Sequence, residues 1–267
     1  MRQRGSAARA ERSSDHEPAA HRLWLHPGTD LFLCPYPWVA AAARARTGCP
    51  ACAPGPVIDE CFGRPADPAR GRRSMAVPAG QDAVLISAGS WGVGAAAITA
   101  DWLAQLEGVC PVVLCGRNEE LRARIARLPQ CRALGWREDL PDLFAGSTVL
   151  VDQSGGATCA EAFAARLPVV THRPLPGHGR LGVRALATAG LVTAALDGPA
   201  LLDAVRGLSR LGPDRAAQVA RAAAVFVEEP TEVLVQWVIN DGVHRRTTDA
   251  EGPDPAGWGR IGRLRRA

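Results

Sequence analysis

Between residues 83 and 196 the chain alternates short, uninterrupted apolar runs with helix-like stretches. AVLISAG, PVVLCG, CRALGW, TVLVDQ, PVVTH and LVTAAL each read as strands, and a helical segment separates each from the next. Runs this continuously apolar need cover on both faces, because a sheet with one wet face would alternate apolar and polar side chains. Intervening helices of about ten residues supply that cover. The expected fold is therefore α/β: a Rossmann-like, doubly wound parallel sheet spanning residues 81–240. Two later helices, PALLDAVRGLSRL and PDRAAQVARAAAVFVEE, each open with a proline suited to a first helical turn, and PTEVLVQWVIN follows them.

The flanks read differently. Residues 1–20 mix charge with Ser, Ala and Gly without periodicity and are expected to be disordered. Residues 21–61 hold two strand-like runs, RLWL and LFLC, joined by the turn HPGTD, and then a helix candidate, PWVAAAARART. Residues 62–80 are rich in Pro, Gly and Arg and read as a linker, and 241–267 as a disordered basic tail.

Composition narrows the function classes. With 47% hydrophobic residues in 267, the chain can fill a core. The net charge is only +4, every basic residue is arginine, and no arginine stripe interleaves with aromatics, so no nucleic-acid partner is expected. No apolar run reaches about 18 residues and no signal peptide opens the chain, which points to the cytoplasm. Of the eight cysteines, 110, 115 and 131 lie in or beside strands and 49, 52 and 61 in a loop-like stretch. CPAC followed by a single third cysteine lacks the second pair of a zinc site, so no metal is expected.

In an open parallel sheet, ligands bind beyond the carboxyl ends of the strands. Three loops lie there. The first, SAGSWGVGAA, offers Gly89, Ser90, Gly92 and Gly94 ahead of a helix, either a phosphate cradle or a tight structural turn. Its GxxGxG spacing is neither the dinucleotide fingerprint nor a lysine-bearing phosphate loop, which disfavours a dinucleotide-dependent oxidoreductase. The second, SGGATCAEAF, pairs Ser154, Gly155, Gly156 and Thr158 with Glu161. That carboxylate either grips ribose hydroxyls or simply sits favourably near a helix amino terminus. The third, RPLPGHGRLG, carries Arg173, His178 and Arg180.

AGSWGVG, VLCGRNEELRARI, GWREDLPDLFAGSTVLVDQSGGATCAEAFAARLPVV, PLPG and ALATAGL follow one another in a recognisable order. Over residues 21–240 the chain resembles the donor-binding half of GT-B glycosyltransferases. The family includes monogalactosyldiacylglycerol synthases, diglucosyldiacylglycerol synthases and the lipid II-forming N-acetylglucosaminyltransferase. The resemblance makes residues 21–61 a remnant of the N-terminal acceptor domain and 81–240 the donor domain. It assigns Glu161 to the ribose of a uridine nucleotide and Ser154, Gly155, Gly156, Ala157 and Thr158 to the turn beside it. Gly89, Ser90 and Gly92 would meet the diphosphate, and Trp136 and Arg137 would read the uracil edge through their backbone. Pro176, Gly177, His178, Gly179 and Arg180 would face the donor sugar and diphosphate. Lipid-glycosylating members show GQExxN in that last loop; here His178, Gly179 and Gly182 stand at its three functional positions, which leaves the donor sugar open.

The resemblance implies an enzyme that transfers a hexose from a UDP-sugar, its substrate, to a lipid or lipid-linked acceptor, with no cofactor and no metal. It would work in the cytoplasm or peripherally at the inner face of the plasma membrane, and no catalytic base is assigned. The alternatives are a non-catalytic nucleotide-sugar-binding module, or the donor subunit of an enzyme whose partner chain supplies the acceptor domain.

Overall fold

The computed structural model describes residues 10–12 and 19–244, and it builds two parallel sheets in succession. The smaller contains β1 (Ala10–Arg12), β2 (Leu31–Leu33) and β3 (Ala51–Cys52), in that spatial order. Between β2 and β3 runs α1 (Pro37–Thr47), with proline in its first turn and Gly48 at φ 71° closing it. A 3-10 turn (Glu60–Gly63) and α2 (Pro68–Ser74) then lead to the larger sheet.

That sheet has β4 (Asp82–Ser87) at its centre, β5 (Val109–Leu114) and β6 (Arg132–Leu134) on one side, and β7 (Val149–Asp152), β8 (Val169–His172) and β9 (Thr193–Ala195) on the other. Every pairing is parallel. The crossovers are α3 (Ala96–Leu103), α4 (Glu119–Ile125), α5 (Leu140–Ala145), α6 (Ala157–Ala164) and α7 (His178–Thr188). After β9 follow α8 (Gly198–Ser209), α9 (Pro213–Ala223) and α10 (Pro230–His244).

The strands are buried on both faces, as their unbroken apolar runs require. Along β4, Ala83 and Leu85 join one apolar cluster while Val84 and Ile86 join the other. The first cluster does not stop at the large sheet: it takes in Phe32, Tyr36, Val39, Ala40 and Ala43 together with Leu85, Val112, Phe144 and Phe163. Residues 31–49 and the doubly wound sheet thus share one core. The chain end reinforces the union, since Trp237 of α10 packs on Leu31 and Leu33. Just before α10, the Val227 and Glu228 amides both donate to the Pro54 carbonyl, at 2.8 and 3.0 Å.

The fold departs from the sequence reading in five places. Residues 10–12, expected to be disordered, pair with β2, because backbone hydrogen bonding to a neighbouring strand asks nothing of side-chain composition. RLWL forms a turn around His21–Trp24 rather than a strand. The expected linker contains α2, started by Pro68 and capped by Asp67, whose carboxylate accepts from the Arg70 amide at 3.0 Å. The loop after β8 ends at Gly177, so His178, Gly179 and Arg180 belong to the first turn of α7. Finally, the expected tail begins as helix, since α10 continues to His244. The disorder expected for residues 1–9, 13–18 and 245–267 lies outside the described residues.

Candidate functional site

The strand order reverses beside β4: the chain moves outward through β5 and β6, then returns to β7 on the other side. This switch point leaves a crevice beyond the carboxyl ends of β4 and β7. Of the helices that start along the carboxyl edge, α3 follows the β4 loop, α6 the β7 turn and α7 the β8 loop. Their N-cap residues are Ala95, Gly156 and Gly177, and none is capped by a side-chain hydrogen bond. Their first amides carry partial positive charge toward the edge of the sheet, an arrangement that suits an anion.

The β4 loop is shaped by glycines that accept close neighbours. Gly92, at φ 60°, has no room for a side chain: a Cβ there would lie 2.4 Å from the Asn118 Cβ and 2.6 Å from the Cys115 carbonyl oxygen. Asn118 holds the loop by donating to the Gly92 carbonyl at 3.0 Å, while its own oxygen caps α4 at the Leu121 amide. The Arg117 amide donates to the Ser90 carbonyl at 2.9 Å. Gly92→Ala is therefore expected to cost about 1–3 kcal/mol in urea denaturation, through overpacking added to left-handed strain. Gly89→Ala, at φ 68° with nothing within 4 Å of a new Cβ, should cost only the strain, about 1–2 kcal/mol. Equal losses would mean that the close approach of Asn118 is unimportant.

The β7 turn is organised by the buried Asp152. One of its carboxylate oxygens accepts from the Ser154 and Gly155 amides, each at 2.7 Å, and from the Ser154 hydroxyl at 3.2 Å. This Asx-type turn aims the start of α6 at the crevice. Sequence reasoning passed over Asp152, although an aspartate two residues before a glycine-bearing turn is a recognisable signal. Gln153 was also passed over. It is 3% exposed, its side-chain oxygen accepts from the Ala95 amide at 2.8 Å, and its main-chain carbonyl accepts from the Leu175 amide at 2.9 Å. Its Nε2 is buried without a partner, a state that costs about 1–3 kcal/mol.

Glu161 lies one and a half turns into α6, half-buried. Burial raises its pKa above the ordinary 4.5, and the carboxylates of Asp59 and Asp152 raise it further. Asp59 caps the 3-10 turn at Glu60–Gly63 through the Cys61 amide at 2.9 Å. The lone acid of α6 is thus set between the β7 end and the segment that crosses from the small sheet. A carboxylate placed among others and desolvated is poorly explained by stability alone, and such placement is typical of functional sites.

The remaining expected residues fall into two groups. Trp136 is 52% exposed just past β6, with the Arg117 guanidinium 4.6 Å from its ring centroid, a cation–π contact that joins it to the Ser90 loop. The Arg137 side chain is engaged in an ion pair with Asp139 that also holds the Ser74 hydroxyl. Asp139, which precedes α5, accepts from Arg137 and Ser74 and makes no side-chain cap bond to that helix. Pro176, Gly177 and Arg180 are exposed around the start of α7. A Cβ on Gly179 would approach Leu175 Cβ at 3.2 Å and the Ser154 carbonyl oxygen at 3.7 Å, so this turn lies directly on the β7 turn.

No family model matches the chain. It is 26% identical over 172 residues to a processive diacylglycerol beta-glucosyltransferase of Bacillus mycoides, a match that covers 59% of this chain and 42% of the relative. The chain thus spans less than half the length of that relative. Among solved structures it superposes on MurG of Acinetobacter baumannii with a TM-score of 0.55 at 19% identity, over 84% of this chain and 64% of that one. HepE of Anabaena, solved with UDP and glucose, also gives 0.55 at 18% identity, over 81% and 63% of the two chains. The resemblance read in the sequence is borne out: the relatives and neighbours are glycosyltransferases, and this chain shares the GT-B α/β fold.

Proposed function

We propose that the carboxyl edge of the large sheet binds a UDP-sugar and that the chain transfers the sugar to a lipid or lipid-linked acceptor. The observation that carries this reading is the convergence of three uncapped helix amino termini at the switch point, beside a half-buried carboxylate with no cation drawn to it among the described residues. The amide ends suit a diphosphate, and Glu161 suits a pair of ribose hydroxyls, which it accepts through two oxygens. In this reading Trp136 and the backbone at Arg137 meet the base. Charge that develops on the departing diphosphate would meet dipoles already in place, so transfer is favoured electrostatically without reorganisation. The hydroxyl that attacks the sugar needs a base, and none of the residues described here is assigned that role.

The name of the Bacillus mycoides relative supports the acceptor side of the reading, since that enzyme glucosylates diacylglycerol. In this reading the acceptor lies at the cytoplasmic membrane surface and is presented by a further domain or a partner chain. No helix among the described residues is long and apolar enough to cross a membrane.

Calorimetric titration with UDP, CDP and ADP tests the donor half. UDP is expected to bind in the micromolar range, about −8 kcal/mol, and ADP at least about tenfold more weakly. Equal binding of all three, or of none, would overturn the assignment.

A further inference from the structure

Gln153 is the residue on which the three loops of the site converge. Its side chain reaches the Ala95 amide ahead of α3, its main chain reaches the Leu175 amide ahead of α7, and Asp152 holds the two amides that follow it ahead of α6. Because the Ala95 N–H is a donor, the atom it meets must be the amide oxygen, and the NH2 group is fixed on the other branch. That NH2 is buried and unpartnered. The β4 loop lies so close over the side chain that a Cβ on Gly94, at φ 96°, would come within 2.2 Å of the Gln153 oxygen and 3.3 Å of its Cδ.

The oxygen is accounted for by the Ala95 amide, but nothing in the surrounding protein accounts for the NH2 group on the other branch. The surroundings indicate what it is kept for. Three uncapped amino termini favour an anion at this junction, and anionic oxygens are the acceptors that a stranded N–H donor lacks. The glycines at 89, 92 and 94 all have positive φ, which gives the covering loop backbone conformations that other residues adopt only with strain.

Resting on the UDP-sugar reading above, we propose that Gln153 is a positioning and binding residue: its oxygen latches α3 to the β7 turn, and its Nε2 meets a diphosphate oxygen when the β4 loop yields to ligand. Two substitutions separate these roles. Gln153→Glu keeps an oxygen for the Ala95 amide but replaces the donor with an anion, and Gln153→Met removes both without adding charge. Titration of the parent and both variants with UDP and with uridine, alongside thermal melts, reads the result. Both variants are expected to lose at least about tenfold in UDP affinity while uridine affinity stays within about twofold, and both should melt below the parent, Gln153→Glu because it buries a charge beside Asp152 and Gln153→Met because it strands the Ala95 amide. Three outcomes overturn the inference: UDP affinity unchanged in Gln153→Met, UDP and uridine weakened alike, or loss confined to Gln153→Glu, which would report charge repulsion alone. Should Gln153→Glu fail to fold, Gln153→Met decides. If the parent itself does not bind UDP, the donor reading fails, and that result is distinct from a parent that binds UDP without regard to residue 153.

Discussion

Replacing Glu161 with glutamine is expected to weaken UDP binding by about thirtyfold and, in the same protein, to raise the melting temperature at neutral pH. The first effect follows from the loss of charged hydrogen bonds to the ribose hydroxyls, about 2 kcal/mol at 1.4 kcal/mol per factor of ten. The second follows from where the carboxylate sits. Burial, then Asp59, then Asp152 disfavour its ionised form and raise its pKa in the folded state above 4.5. For an acid shifted upward, the folded protein holds the proton more tightly than the unfolded chain. Its ionisation therefore costs nothing below the ordinary pKa, and stability declines as pH rises from about 4.5 through the folded value. Above that folded value the whole penalty is present, and the amide removes it. UDP affinity of the parent should fall as pH is lowered through that raised pKa, because the protonated acid accepts fewer hydrogen bonds; the glutamine variant should lack this dependence. A variant that binds weakly and also melts lower would identify Glu161 as a structural residue.

The opposite movement of binding and stability is what separates a functional carboxylate from a helix-terminal one. An acid near a helix amino terminus stabilises the helix by about 0.3–1 kcal/mol. Glu161 lies beyond the first turn of α6, where that effect has decayed, and two other acids face it. The sequence left those two meanings open because it did not show that Asp59, about one hundred residues earlier, would lie nearby.

Much of the large sheet was legible because its signal is periodic and redundant: six apolar runs flanked by helices leave few alternatives to a parallel sheet. The Gly-rich loops were legible as turns, and the resemblance of motifs placed Glu161 and Ser154–Thr158 on one of them. What stayed hidden was whatever depends on two segments meeting. Gln153 looked like an ordinary polar residue between a strand and a turn; only the arrival of Ala95 and Leu175 makes it a junction. The union of residues 31–49 with the large core was hidden likewise, since Tyr36, Val39 and Ala43 find Leu85 and Phe163 only in three dimensions. His178–Arg180 resemble a loop in sequence because two glycines flank the histidine, yet Gly179 fits the first turn of α7 where a side chain would press on Leu175.

The stretch that composition most misrepresents carries the largest expected loss of stability. Gly71→Ala should destabilise the protein by about 2 kcal/mol or more in urea denaturation, even though alanine is the better helix former by about 1 kcal/mol. A Cβ at residue 71 would lie 1.8 Å from the Asp142 carbonyl oxygen and 2.5 Å from its carbon, both backbone atoms that no rotamer change can move. Helix α2 must therefore lift off α5. Its attachments on both sides of the glycine resist that: the Asp67 amide donates to the Asp142 carboxylate at 2.8 Å, Arg70 pairs with the same group at 3.4 Å, and the Ser74 hydroxyl meets Asp139 at 3.1 Å. Met75, which closes the helix, is fully buried in the shared core. Because Asp139 also holds Arg137, displacement of α2 should reach the strand end where the base would rest, so UDP affinity should fall along with stability. Gly80→Ala serves as the comparison, since at φ 77° with open space around it that glycine faces only left-handed strain, about 1–2 kcal/mol. A Gly71→Ala protein as stable as its parent would show that α2 does not dock on α5, and that residues 62–80 are the linker their composition resembles.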